Sequence, residues 1–335
     1  MKRVGYLLDQ IAEIDNLQLA FYKAARGKRD KNVVQLFQEQ LEDNLCKMRT
    51  ELLLGRTSVG NYTYFKIFDP KLRTICAASF PERVLHHAIM NVCAPYFERH
   101  LIETTYATRK NKGIYQAIDR ARVGLKNYSY VAKFDVRHYF ETIDHNILKS
   151  KLARIFKDAK LLTLFYQIID NYSTQTGKGI PIGNLTSQFF ANHYLSSFDH
   201  WCKEQLKAGE YVRYMDDFLY FADSLEDLER GIVLINQYMK NELVIKLKPV
   251  IKLKRDDGLP FLGYKLYPNK ILLARRSKDR YISKSLFYEE NRIKGRWSEL
   301  EYQNHITPLI AFASKAYTKG LRKSVIYKIN GYGDW

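Results

Sequence analysis

Between Tyr211 and Ala222 the chain is apolar except for Arg213 and the central pair Asp216-Asp217. Two adjacent carboxylates cannot sit unpaired in a buried apolar run, because burying a lone charge is costly. A hairpin resolves the conflict: two buried strands meet at a tight turn, and the carboxylates emerge at a strand end. A second run, Val131 to Phe134, is apolar apart from Lys133 and closes on Asp135. If the two strands are neighbours in one sheet, the three carboxylates converge.

The remaining pattern mixes helices and strands. Residues 1–55 read as two helices, with apolar residues at helical spacing through Leu7, Ile11, Ile14, Leu17 and Phe21, then Val34, Phe37, Leu41 and Leu45. The basic stretch Arg26-Gly27-Lys28-Arg29 separates them. Residues 62–76 read as extended around a turn at Asp69-Pro70, and Glu82 to Phe97 and Ile232 to Leu243 as helices. A second hairpin is expected over Val250 to Leu266, turning at Asp256-Asp257-Gly258. The region after Ile271 is basic and then helical. This mixture predicts an α+β catalytic core.

Lys and Arg total 54 against 36 Asp and Glu, a formal charge of +18. Such a surplus points to a polyanionic partner, nucleic acid first, since phosphate contacts release counterions. The four cysteines, Cys46, Cys76, Cys93 and Cys202, have neither zinc-ligand spacing nor the look of a disulfide framework. No secretory signal and no run of membrane-spanning length is seen, so a cytoplasmic protein without membrane contact is expected.

Converging carboxylates suit nucleotidyl transfer. One cation activates the attacking 3′-hydroxyl and a second holds the leaving pyrophosphate, the two lying about 3.5–4 Å apart. Hard oxygen ligands favour Mg²⁺. Here the sequence resembles a reverse transcriptase. Tyr214-Met215-Asp216-Asp217 matches the family's third catalytic motif, and Phe134-Asp135-Val136-Arg137-His138-Tyr139-Phe140 the first. The resemblance spans roughly residues 60–335. It implies a right-hand polymerase with fingers, palm and thumb, an antiparallel palm sheet, a helical N-terminal segment and a helical thumb. The expected divisions are 1–61 for the N-terminal segment, 62–130 for the fingers, and 131–145 for the first palm strand. Helices shared by fingers and palm follow over 146–178, the rest of the palm over 179–268, and the thumb over 269–335.

The resemblance also implies roles for single residues. Asp135, Asp216 and Asp217 become the catalytic metal ligands, with the Val136 carbonyl as a fourth contact. Two Mg²⁺ ions are implied, with Mn²⁺ as a substitute. Phe140 packs under the incoming sugar, where its ring would collide with a ribose 2′-hydroxyl. Arg73, with Lys71 as a second candidate, holds the incoming triphosphate, for which a planar guanidinium is suited. Ile182, Gly183 and Gln188 line the nucleotide site. Arg109 is expected to touch template. Phe261-Leu262-Gly263-Tyr264 resembles the primer-grip hairpin, and Arg275 and Arg276 begin a basic thumb that tracks template and primer.

The segment Ile182-Gly183-Asn184-Leu185-Thr186-Ser187-Gln188 resembles the enzymes of diversity-generating retroelements, whereas many reverse transcriptases carry Gln before the glycine and Pro after the serine. That subgroup makes cDNA from a template-repeat RNA with errors at adenines. The resemblance implies template RNA, cDNA, dNTPs and a small basic accessory variability protein as partners. The alternatives are a retron or group II intron-type reverse transcriptase and, from a different class, a non-catalytic RNA-binding protein with a polymerase fold. All three carboxylates and Phe140 are present, which argues against the last.

Overall fold

A computed structural model describes residues 2–68 and 72–329. The turn at Asp69-Pro70 and the candidate Lys71 lie outside the described residues. The chain opens with four helices, α1 (Leu8–Ala12), α2 (Ile14–Ala25), α3 (Asn32–Glu39) and α4 (Leu41–Leu54). Two helices were expected; extended backbone at Glu13 and a non-helical Gln40 add two breaks to the one at Gly27. An antiparallel pair follows, β1 (Tyr62–Phe68) with β2 (Leu72–Ala78), then the long α5 (Phe80–Glu98). Phe21, Phe37 and Phe80 pack with ring centroids 5.3–6.1 Å apart, joining α2 and α3 to the start of α5. The N-terminal helices therefore share the main core and do not form a separate body.

The middle of the chain runs α6 (Ile114–Asn127), β3 (Tyr130–Asp135), α7 (Tyr139–Thr142), α8 (His145–Ile155), α9 (Ala159–Asp170), α10 (Leu185–Tyr194) and α11 (Ser196–Glu204). The predicted hairpin is β4 (Glu210–Tyr214) and β5 (Asp217–Ala222), followed by α12 (Leu225–Asn241). Asp158 holds the N-terminal segment to α9, its carboxylate accepting from Leu7 and Leu8 backbone N–H groups as well as capping α9 through Leu161. The chain then forms β6 (Ile251–Lys254), β7 (Leu259–Phe261), β8 (Tyr264–Leu266) and β9 (Ile271–Leu273), and closes with α13 (Arg275–Ile293), α14 (Glu299–Ser314) and α15 (Lys319–Ile329).

The central sheet is antiparallel in the order β4-β5-β3-β6. Its strands β3 and β5 are buried on both faces, with Phe134 stacked on Phe218 at 4.7 Å. That explains why they read as continuous apolar runs. The second expected hairpin needs correction. Lys254 and its neighbours pair with β3, so the turn at Asp256-Asp257-Gly258 leads the chain out of the central sheet. The true hairpin, β7 with β8, turns at Leu262-Gly263, both in the left-handed region, and β9 adds a third strand. The alternation of the run gave no sign that its first half would pair with β3, a strand more than a hundred residues earlier.

Candidate active site

Antiparallel register places Asp135 directly opposite Asp217 at one end of the central sheet. Tyr214 pairs with Asp217, so only Met215 and Asp216 form the turn between β4 and β5. Met215 has φ +57°, a conformation that tight hairpins require and that a side chain larger than glycine adopts at a cost. The Arg213 guanidinium anchors that turn. Its Nη1 donates to the Met215 carbonyl at 2.9 Å and to the Asn192 side-chain oxygen at 2.8 Å. Its other nitrogens engage the Asp199 carboxylate at 2.7 and 2.5 Å, and the Tyr211 hydroxyl donates to the same carboxylate. Arg213 and Asp199 are fully buried.

Two lysines neutralise the carboxylates. Lys133 lies two residues before Asp135 on the same sheet face and pairs diagonally with Asp217 at 2.9 Å. Lys248 reaches Asp135 at 2.5 Å while its backbone N–H donates to the Asp135 carbonyl. Burial, above all, raises the Asp216 carboxyl above its usual range; Asp135 adds to this, and Lys248 and Arg73 oppose it. Asp217 is pushed up to about 6 by burial, opposed by Lys133 and reinforced by Asp135 and Asp216. One Asp217 oxygen, Oδ1, is buried without a hydrogen-bond partner.

An orphaned buried carboxylate oxygen and mutually repelling carboxylates are what a hard cation would satisfy. Among the described residues no group of three or more His, Cys, Asp or Glu is placed to hold a metal ion by itself. Mg²⁺ does not require one, since it keeps waters and takes substrate phosphates as ligands. The Val136 carbonyl lies beside the set. The bonds on either side of it run from Lys248 to Asp135 and from Arg137 to Lys246, so they leave it outside the ladder.

The other candidates fall into two groups. Phe140 is half-buried within the short α7, its ring edge-on to Tyr139 and its carbonyl accepting from Ile180. The Ile182 carbonyl accepts from Cys76 at 2.8 Å, which ties its loop to β2. Gly183 has φ +125°, and an added Cβ would come 2.9 Å from the Cys76 carbonyl oxygen, so this approach needs glycine. The same strand carries the exposed Arg73, whose charge is felt at Asp216. Gln188 is exposed on the first turns of α10. Of these residues, Arg73 reaches the carboxylates through its charge, and Ile182 and Gly183 join its strand through Cys76.

Elsewhere the structure redirects the expectations. Arg109 is turned inward, its side chain only 7% exposed, paired with Glu98 at 2.6 Å and donating to the carbonyls of Ile102 and Thr105. It braces the loop before α6 in place of the expected template contact. Phe261 and Tyr264 are buried, Tyr264 donating to the Phe312 carbonyl, so only the Leu262-Gly263 turn of the primer-grip segment is presented. Arg275 and Arg276 are exposed at the start of α13. Lys133, Lys248 and the Arg213–Asp199–Asn192 clamp went unrecognised in the sequence. Lys133 and Arg213 did leave a signal, each a lone charge in an apolar run, but nothing named their partners.

The family model for reverse transcriptase (RNA-dependent DNA polymerase) matches residues 68–266, more than half of the chain. The chain belongs to the reverse transcriptase family. It is 22% identical to Protein YkfC of Escherichia coli (strain K12), over 69% of this chain and 73% of that protein. It is also 22% identical to the Putative COX1/OXI3 intron 1 protein of Saccharomyces cerevisiae, over 60% of this chain but 25% of that protein. The telomerase of Candida albicans, solved with a TWJ fragment of telomeric RNA, superposes with a TM-score of 0.50 at 13% identity. That match covers 89% of this chain and 64% of the telomerase, and supports a right-hand polymerase fold. No described helix is long and apolar enough to cross a membrane.

Proposed function

We propose that this reverse transcriptase makes error-prone, adenine-mutated cDNA from a template-repeat RNA in a diversity-generating retroelement, by two-metal nucleotidyl transfer. The observation that carries the polymerase chemistry is the register that sets Asp135 against Asp217 with Asp216 in the adjoining turn. Two Mg²⁺ ions, when bound, supply activation of the 3′-hydroxyl and neutralisation of the pyrophosphate. Asp135, Asp216, Asp217 and the Val136 carbonyl would hold them.

The chain's own groups do the rest. Lys133 and Lys248 hold Asp217 and Asp135 in place through their ion pairs. Arg73 faces the carboxylates from the fingers and orients the triphosphate by paired charge-assisted hydrogen bonds. The Phe140 ring excludes a 2′-hydroxyl. Lys71, if it assists Arg73, does so from outside the described residues. The exposed Arg275 and Arg276 contact the phosphates of template and primer, and the Leu262-Gly263 turn supports the primer end.

The subgroup rests on Ile182 before Gly183 and Gln188 after Ser187. An Ile side chain neither donates nor accepts a hydrogen bond, so it restrains the template less than a Gln would. Losing one such bond forfeits about 0.5–1.5 kcal/mol, against about 1.4 kcal/mol for each tenfold in error. Template RNA, dNTPs, cDNA and a small basic accessory variability protein are the partners of this reading. A group II intron-type role is the second reading, favoured by relatives named as an intron 1 protein and as Nuclear intron maturase 1, mitochondrial, of Arabidopsis thaliana. Sequencing cDNA made on one defined RNA tests both. Errors concentrated at template adenines, falling several-fold in Ile182→Gln, support the retroelement reading. Uniform low error favours the intron type, and absence of cDNA removes the polymerase reading.

A further inference from the structure

On a face of the palm formed by α8, α11 and α12 lies a cleft of about 390 Å³, lined by residues that include Asn146, Ser150, Lys151, Arg154, Ser197 and Tyr238. None of these belongs to the active site. Lys151 is 8% exposed, yet no carboxylate lies within ion-pair distance of it among the described residues. Its ammonium donates to the neutral Ser197 hydroxyl and lies 5.8 Å from the centre of the Tyr194 ring. An ammonium has three N–H donors, so this leaves donors unused. Burial, with the charge of Arg154 adding to it, pulls the Lys151 amine down to about 8.

The surroundings share this imbalance. Arg154 is exposed at the mouth and makes no ion pair among the described residues. The buried Asp199 carboxylate, whose charge is felt at Lys151, is already engaged by Arg213 and Tyr211. Ser197 Oγ accepts from both Lys151 and the Tyr238 hydroxyl at 3.3 Å, which leaves its own O–H to donate elsewhere. Glu242 is the one acid on the cleft wall, and it is exposed. An excess of converging donors around a buried cation is a site that lacks its acceptor. A tetrahedral anion presents several oxygens to such a set, whereas a carboxylate presents two.

We propose that this cleft is a phosphate site, separate from the polymerising centre, with Lys151, Arg154 and Ser197 as its principal donors. The phosphate comes either from the backbone of a structured RNA held on this face of the palm or from a free phosphate-bearing small molecule.

The test uses the full chain, with EDTA present so that metal-dependent binding at the carboxylates is silent. Titration calorimetry with inorganic phosphate at constant ionic strength compares wild type, Lys151→Met and Arg154→Gln. Phosphate affinity should fall about tenfold in each variant, the size expected for losing one charge-assisted contact. Arg154 is exposed, so its variant retains the fold even if Lys151→Met does not. Filter binding of a long structured RNA across a salt series separates the sources. A slope of log K on log salt smaller by about one in Arg154→Gln assigns the phosphate to RNA. An unchanged slope with weakened phosphate binding assigns it to a small molecule. Phosphate binding and RNA slope both unchanged in Arg154→Gln would overturn the proposal.

Discussion

At the scale of the residue, the site is governed by charges brought closer than they would choose. The Asp217 carboxyl, normally near 3.8, is pushed up to about 6 in the folded protein. A raised carboxyl binds its proton more tightly when folded, so its contribution is fully present below about pH 4 and is lost as pH rises through about 6. Without metal, wild type should therefore lose stability over this interval relative to Asp217→Asn, and Mg²⁺ should restore part of it near neutrality. Thermal melts of the two proteins in EDTA and in Mg²⁺, from pH 4 to 7.5, check this; parallel profiles would contradict it. Phe140 carries a second expectation. Its half-buried ring is expected to fill the space a 2′-hydroxyl needs, so Phe140→Ala should raise ribonucleotide over deoxynucleotide incorporation by about tenfold or more. Competitive single-nucleotide extension reads that ratio directly.

Among elements, the β4–β5 hairpin shows how stability and chemistry share one set of contacts. The strained turn at Met215 is held by Arg213, which is in turn held by Asp199 on α11 and Asn192 on α10. Removing one member of a buried pair strands the other, a loss of about 3–5 kcal/mol. Asp199→Asn should therefore lower unfolding stability by that order, whereas Arg213→Met with Asp199→Leu should recover much of it. Denaturant titration measures both. The double variant should still lose polymerase activity, because the Met215 carbonyl has lost its donor. This clamp also marks the limit of what the sequence disclosed. The hairpin, β3 and the three carboxylates were legible because buried strands read as apolar runs and their interruptions must be functional or paired. Arg213 was visible as an interruption, but its partners come from two different helices, and pairing across helices leaves no periodic trace. The same holds for Lys248, and for β6, whose pairing with β3 depends on topology and not on local pattern.

Over the whole molecule, segments distant in sequence are tied to one another. The N-terminal helices pack on α5, the Ile182–Gly183 loop is pinned to β2, and the Leu262-Gly263 turn rests on the C-terminal helices through Phe312. Motif spacing disclosed none of these ties, nor that Arg109 would spend its charge on Glu98. The central claim is that Asp135, Asp216 and Asp217 form one metal-dependent centre for DNA synthesis on RNA. Single-nucleotide extension of a DNA primer on an RNA template, in Mg²⁺ under single-turnover conditions, tests it most directly. Wild type should add the complementary deoxynucleotide. Asp216→Asn, still folded at neutral pH in EDTA, should be slower by about a thousandfold, since a metal's charge stabilisation amounts to several kcal/mol. Extension by Asp216→Asn within a few-fold of wild type would contradict the account.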